Sequence, residues 1–226
     1  DGKISQLSAK IASSLTGVDS IPQPMLVQYI KDVIGNLDSE RLSQLTDNLG
    51  STIELFRDKI RRMLSEYAMS QFDRLRDMGE IRTREAHPLP KIINPAPIDR
   101  HSISKSLYTE EGTFNDFEAE VIRQVSALPN VEFCHRNLER GKGFYINGNI
   151  NHYPDFIVRL KSGRIVLIET KGDDRDNSDS LDKLRLGKIW ENESGKGYRY
   201  YMVFDKNDNL DGATTLPELI DRISRL

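Results

Sequence analysis

Cysteine is almost absent from this chain of 226 residues: Cys134 stands alone, so no internal disulfide can close and no cysteine-based zinc cage can assemble. A reducing, cytoplasmic compartment is expected. Histidine is scarce as well, and His87, His101, His135 and His152 are scattered rather than set at metal-binding intervals. Long apolar runs are missing too. Stretches such as Ile165–Ile168 are far too short to cross a bilayer, and no basic-then-apolar leader opens the N-terminus, so no membrane role is expected. The chain also lacks an excess of positive charge. Its formal net charge of -3 argues against indiscriminate attraction to polyphosphate, although a local basic surface can still hold DNA.

Hydrophobic residues make up 37% and charged residues 30%, a balance that suits a folded chain and excludes wholesale disorder. The length allows one good-sized domain plus a smaller one, or two modest domains sharing an interface. Over the first eighty residues apolar side chains recur at helical spacing: Ile4, Leu7, Ile11 and Leu15, then Met25, Leu26, Ile30, Val33 and Ile34 after Pro24. Leu42, Leu45 and Leu49 suggest a third helix. Ser51 and Glu54 have capping-box spacing and predict the start of a long fourth helix, with a stripe of Ile53, Phe56, Ile60, Met63, Tyr67, Phe72 and Leu75 read as core. Gly79 is its expected stop.

From Arg82 to Arg100 the period vanishes, and Pro88, Pro90, Pro95 and Pro97 fix extended conformation. The predicted organisation is therefore a helical linker or docking domain at 1–81, a proline-rich connector at 82–104 and a second domain at 105–226. In the latter a helix over Thr113–Leu128 precedes short β-rich segments at Val131–His135, Tyr153–Leu160, Arg164–Lys171 and Tyr198–Phe204. Ser162-Gly163 supplies turn chemistry for a hairpin. A polar helix at Ser180–Glu193 and a final one at Pro217–Arg225 complete an α/β order, a mixed sheet flanked by helices.

On the Arg164–Lys171 segment, Glu169 and Lys171 share one face of the pleat while Thr170 points away. Two charges closing the apolar run Ile165–Ile168 need a reason. Asp155, just after Pro154, opens the other arm of the hairpin, and pairing across the turn brings it toward Glu169. Like charges in a partly buried site call for a cation, and oxygen donors favour Mg2+ or Mn2+. Beside such an ion, Lys171 orients a nucleophile or stabilises developing charge, which points to phosphodiester hydrolysis. Glu118 falls within the stripe Phe114, Phe117, Val121, Ile122 and Val125, where an unpaired carboxylate would be costly. It is therefore the candidate third ligand, whereas Glu120 falls outside the stripe and is expected in solvent.

Candidate phosphate contacts are Lys183, Arg136 and Lys188, with Arg140, Lys142 and Arg185 as weaker ones. Lys183 leads, since its helix follows the Glu169 segment. His152 and Tyr153 stay outside the catalytic set, and Asp173, Asp174 and Asp176 read as an exposed loop.

Pro154-Asp155 followed by Glu169-Thr170-Lys171, with Glu118 upstream, resembles the PD-(D/E)xK nuclease superfamily. Further stretches resemble the C-terminal part of the type III restriction enzyme Res subunit: Lys105-Ser106-Leu107-Tyr108, His135-Arg136-Asn137, His152-Tyr153-Pro154-Asp155-Phe156, Leu186-Gly187-Lys188-Ile189-Trp190 and Tyr200–Phe204. The likeness is strongest from Lys105 to Phe204. It implies a restriction-endonuclease-like fold, Asp155 and Glu169 as metal ligands and Lys171 as the catalytic lysine. It also implies double-stranded DNA as substrate and a methyltransferase (Mod) partner that recognises the site. An ATP-driven helicase motor is expected elsewhere in the full-length protein, because no Gly-x-x-x-x-Gly-Lys-Ser/Thr loop occurs here. Two rival expectations are a non-cleaving DNA-binding or docking module and a repair or recombination nuclease of the same superfamily.

Overall fold

Periodicity in the sequence becomes two separate bodies in the computed structural model, which describes residues 2–84, 86–95, 103–138, 141–172, 177–206 and 211–226, with backbone alone at 177–179. The compact units are Asp1–Asp73 and Arg74–Leu226. The division thus falls inside a helix, earlier than the expected boundary after residue 81. Arg140, Asp173, Asp174, Asp176 and Pro97 lie outside the described residues.

The N-terminal unit is built from α1 (Gly2–Ser14), α2 (Gln23–Gly35), α3 (Ser39–Asp47) and α4 (Leu49–Asp77). Leu26, Ile30 and Ile34, spaced by four residues, fall on one face of α2 and bury against Ile11, Ala12, Leu15 and Ile60. Asp38 caps α3 by accepting the Arg41 N–H at 2.8 Å. The expected Ser51/Glu54 cap is not how α4 begins. Asn48 alone separates α3 from α4, leaving no room for a cap at Ser51, and the Thr52 hydroxyl instead donates back to Asn48 O at 3.1 Å.

The α4 stripe also departs from expectation. Ile60 and Phe72 are buried, but Met63 and Tyr67 are 42% and 64% exposed. Met63 still meets α2, its sulfur 3.8 Å from the Tyr29 hydroxyl, at the rim of an apolar pocket shared with Met25 and Leu26. Gly79 does end the helix. With φ of 70° it lets its own N–H reach Arg76 O and the Glu80 N–H reach Leu75 O, satisfying two carbonyls of the last turn.

The C-terminal unit has the predicted α/β architecture. After α5 (Asp116–Ala127) come β1 (Val131–Arg136), β2 (Ile146–Asn147), β3 (Asn151–His152), β4 (Phe156–Leu160) and β5 (Ile165–Lys171). Then follow α6 (Asn177–Ser194), β6 (Tyr198–Phe204), β7 (Thr214–Thr215) and α7 (Leu216–Ser224). The main sheet has the order β1-β4-β5-β6-β7; its first three strands are antiparallel, while β5, β6 and β7 run parallel. The α6 crossover makes the parallel β5–β6 pairing possible. The two-residue strands β2, β3 and β7 were not foreseen, because so short a segment carries no readable period.

Alternation along the strands sorts the two faces. Val166 and Ile168 of β5, Val158 and Leu160 of β4, and Tyr201 and Val203 of β6 pack with Val121, Ile122 and Val125 of α5 and Leu219 and Ile223 of α7. The opposite face receives α6. There Gly187 lies so close to Tyr200 that a Cβ would stand 2.4 Å from the ring, which only glycine allows. Leu167, Glu169 and Lys171 share this second face by their spacing. No helix among the described residues is long and apolar enough to cross a membrane.

Candidate active site

Gly163, at φ 84°, permits the tight reversal between β4 and β5, closed by the Leu160 N–H donating to Arg164 O at 2.9 Å. The last paired residues are Phe156 and Ile168, so the next step outward sets Asp155 against Glu169. Asp155 is tightly held. Its Oδ2 accepts both the backbone N–H and the hydroxyl of Thr170, each at 2.7 Å, and its Oδ1 accepts from Arg136 Nη1 at 2.8 Å. The register sets the two acids opposite each other, and their immediate partners differ.

Glu169 looks to the lysines. Its Oε1 lies 3.5 Å from Lys171 Nζ and 3.3 Å from Lys183 Nζ. Its buried Oε2 has no hydrogen-bond partner among the described residues. A carboxylate only 4% exposed pays heavily for ionisation. Burial, followed by the negative charge of Asp155, pushes its proton affinity up to a pKa of about 8 against the pull of Lys183 and Lys171. Lys171 is itself only 4% exposed, so an amine and an acid share a nearly dry compartment at the end of β5.

Glu118 is buried, as the helical stripe implied. Both of its oxygens already have work. Oε2 accepts the Asn115 N–H at 2.8 Å while Asn115 Oδ1 accepts the Glu118 N–H at 2.9 Å, a reciprocal cap that starts α5. Oε1 lies 3.4 Å from Arg136 Nη2. Arg136 thus joins Glu118 to Asp155, with its side chain 12% exposed and its guanidinium 5.3 Å from the centre of the Phe156 ring. As a candidate phosphate contact it turns inward, toward carboxylates. Glu120 is the surface residue expected of it, paired with Arg123.

Behind Asp155 the chain is clamped by a residue that sequence reasoning did not single out. Asn137 Nδ2 donates to Phe144 O at 2.7 Å and to Pro154 O at 2.9 Å, and its Oδ1 accepts the Phe144 N–H at 3.0 Å. The Asn137 N–H also donates to Asp155 O at 2.9 Å. One amide therefore fixes the ends of a loop and the approach to Asp155. Gly143 makes the loop possible, since a Cβ there would meet Leu138 O at 2.0 Å. The signal was the run His135-Arg136-Asn137, noticed for its resemblance and not for its donors.

Lys183 does reach the site from α6, as its position after β5 suggested. Lys188 does not contact these acids. It donates to Tyr200 O at 2.8 Å and to Glu191 at 2.9 Å, and lies 5.4 Å from the centre of the Tyr201 ring, binding α6 to β6. His152 is a core residue, its Nε2 2.8 Å from the Tyr200 hydroxyl. Tyr153 stacks on Tyr145. Beside the cluster opens a groove of about 720 Å³ lined by Pro90, Ile93, Thr113, Arg136, Asn137 and Lys142.

Among the described residues no three Asp, Glu, His or Cys side chains gather closely enough to hold a metal ion by themselves. The donor set still fits a small hard cation through two acids. Glu169 Oε2 is an orphaned buried acceptor, and Asp155 Oδ1 retains capacity beyond its single hydrogen bond, whereas Oδ2 is filled by two donors. Glu118 remains one guanidinium away. No protein-family model matches the chain, and no curated protein matches it.

Proposed function

We propose that the C-terminal unit is a Mg2+-dependent endonuclease domain that hydrolyses phosphodiester bonds of double-stranded DNA. The observation that carries this reading is the buried Glu169, with one oxygen orphaned and the other facing two lysines, set one pairing step beyond the β4–β5 ladder opposite Asp155. Asp155 and Glu169 would hold the ion, with Mn2+ as an alternative. When bound, it supplies Lewis-acid stabilisation of charge at the phosphoryl group. The remaining work belongs to the chain. Thr170 fixes the direction of Asp155 through its N–H and hydroxyl, so the carboxylate need not reorganise. Lys171 lies beside Glu169 with its ammonium held in a compartment that excludes bulk water, positioned to orient an attacking nucleophile and to meet charge as it grows on the phosphate.

The resemblance of Pro154-Asp155, Glu169-Thr170-Lys171 and His135-Arg136-Asn137 to the type III Res subunit supports the wider assignment. In that setting the domain works in the cytoplasm, in a longer chain with an ATP-consuming helicase motor and alongside a Mod methyltransferase that selects the DNA site. The groove beside Arg136, with Lys142 on its wall, supports an approach for a phosphate backbone. The test is cleavage by the complete enzyme complex carrying Asp155→Ala. Loss of cutting is expected, and undiminished cutting refutes the proposed site.

One observation favours a second reading, a DNA-docking module that does not cleave. Glu118, Asp155 and Glu169 already have partners among the chain's own cations, Arg136, Lys171 and Lys183. Calorimetric titration with Mn2+ separates the two. The module predicts no heat that depends on Asp155 and Glu169.

A further inference from the structure

We infer that Arg136 is a resident counter-cation that competes with a divalent ion for Asp155 Oδ1, and so sets how tightly the site takes its metal. The inference rests on the nuclease reading and concerns the same carboxylates. Its basis is the unequal treatment of the two Asp155 oxygens. Oδ2 is saturated by the N–H and hydroxyl of Thr170, each at 2.7 Å, and these bonds alone fix where the carboxylate points. Among the described residues Oδ1 accepts one hydrogen bond, from Arg136 Nη1 at 2.8 Å. Any ion that uses Asp155 must therefore use the oxygen the guanidinium covers.

The same guanidinium faces Glu118 Oε1 through Nη2 at 3.4 Å and also donates to the backbone oxygen of Asp155 at 3.3 Å. It thus occupies the space between the Glu118 and Asp155 carboxylates. Arg136 is held there from behind by the Phe156 ring, and its own N–H donates to Glu111 Oε2 at 3.3 Å. Arginine does not lose its charge at any working pH, so proton release cannot relieve the competition. A fixed positive charge within a few ångströms weakens binding of a second cation through direct repulsion and through the loss of a ligand oxygen. Because Thr170 anchors Asp155 independently, removing the guanidinium leaves the carboxylate in place and uncovers Oδ1.

The experiment compares Mn2+ binding to the whole 226-residue chain as wild type, Arg136→Met, Arg136→Gln and Arg136→Lys. Free Mn2+ is counted by electron paramagnetic resonance, and metal-induced thermal stabilisation is measured in parallel. Arg136→Met and Arg136→Gln are expected to bind about tenfold tighter or more, a modest outcome for removing one neighbouring charge. Gln keeps a hydrogen-bond donor near Asp155 and guards against a variant that fails to fold. Arg136→Lys, which keeps the charge, is expected to stay within about threefold of wild type. Glu169→Gln combined with Arg136→Gln must abolish the gain. If wild type binds Mn2+ through Glu169 and the neutral variants bind equally or more weakly, the competition is refuted and the nuclease reading stands. If no variant binds Mn2+ at all, the metal site itself is refuted and the inference falls with it.

Discussion

Replacing Glu169 with glutamine should remove a specific slope from the stability of the C-terminal unit as pH rises. Glutamine is close in shape to a protonated glutamic acid, so the substitution matches the neutral side chain and deletes only the ionisation. In the folded chain that ionisation is pushed up to about 8 from an ordinary 4.5, first by burial and then by Asp155. A group that holds its proton more tightly when folded favours the folded state fully below its unfolded pKa. The advantage fades as pH climbs toward the folded one. The window is therefore pH 4.5 to about 8, and each decade of proton affinity corresponds to about 1.4 kcal/mol. Across the whole window wild type should lose about 5 kcal/mol relative to Glu169→Gln, all of it gone from wild type above the folded pKa.

Urea unfolding at pH 5, 6, 7 and 8 in the presence of a chelator measures this, with the variant subtracting every other titrating group. The single tryptophan makes the assay local. Trp190 packs edge-on against Phe144 and Tyr198 at 5.8 and 5.5 Å between ring centres, so its emission follows the unit that holds the site. A difference between wild type and variant that stays flat within about 1 kcal/mol from pH 5 to pH 8 would falsify the claim that Glu169 ionises at such cost.

Three further outcomes are expected. Lys183→Met removes a charge that draws the Glu169 proton off, so the same slope should extend to higher pH; an unmoved upper limit means Lys183 does not act on Glu169 in solution. Gly187→Ala puts a methyl 2.4 Å from the buried Tyr200 ring and should destabilise the unit by roughly 1–3 kcal/mol despite alanine's better helix propensity, to be read by the Trp190 urea midpoint. Asn137→Ala strips three hydrogen bonds from the loop leading to Asp155. It should cost about 2–3 kcal/mol; faster amide exchange at Phe144 should accompany it, and unchanged protection there contradicts the clamp.

Much of the sheet was legible because its strands are apolar runs bounded by turn residues. Tyr198–Phe204 emerged with its expected limits, and the Ser162-Gly163 turn set Asp155 opposite Glu169. Glu118 was read correctly as buried, since the helical period decides that. Its second task is equally visible in Asn115-x-x-Glu118, but a helix expected to start at Thr113 places Asn115 inside it and hides the cap. Partners across the fold were not legible. Nothing local tells that Arg136 bends toward Asp155, nineteen positions later in the chain, or that Asn137 clasps Pro154. Met63 and Tyr67 show the opposite failure, for a helical stripe reveals which residues face one way and not whether anything covers them.

The Thr170 bonds to Asp155 join one step along from the straight-across partner of the β4–β5 ladder. Sliding one strand past the other by a single residue would turn every apolar side chain of β4 onto the wrong face and carry Asp155 away from both donors at once. A hairpin closed out of step would therefore forfeit, together with its packing, the two bonds that hold Asp155 in place.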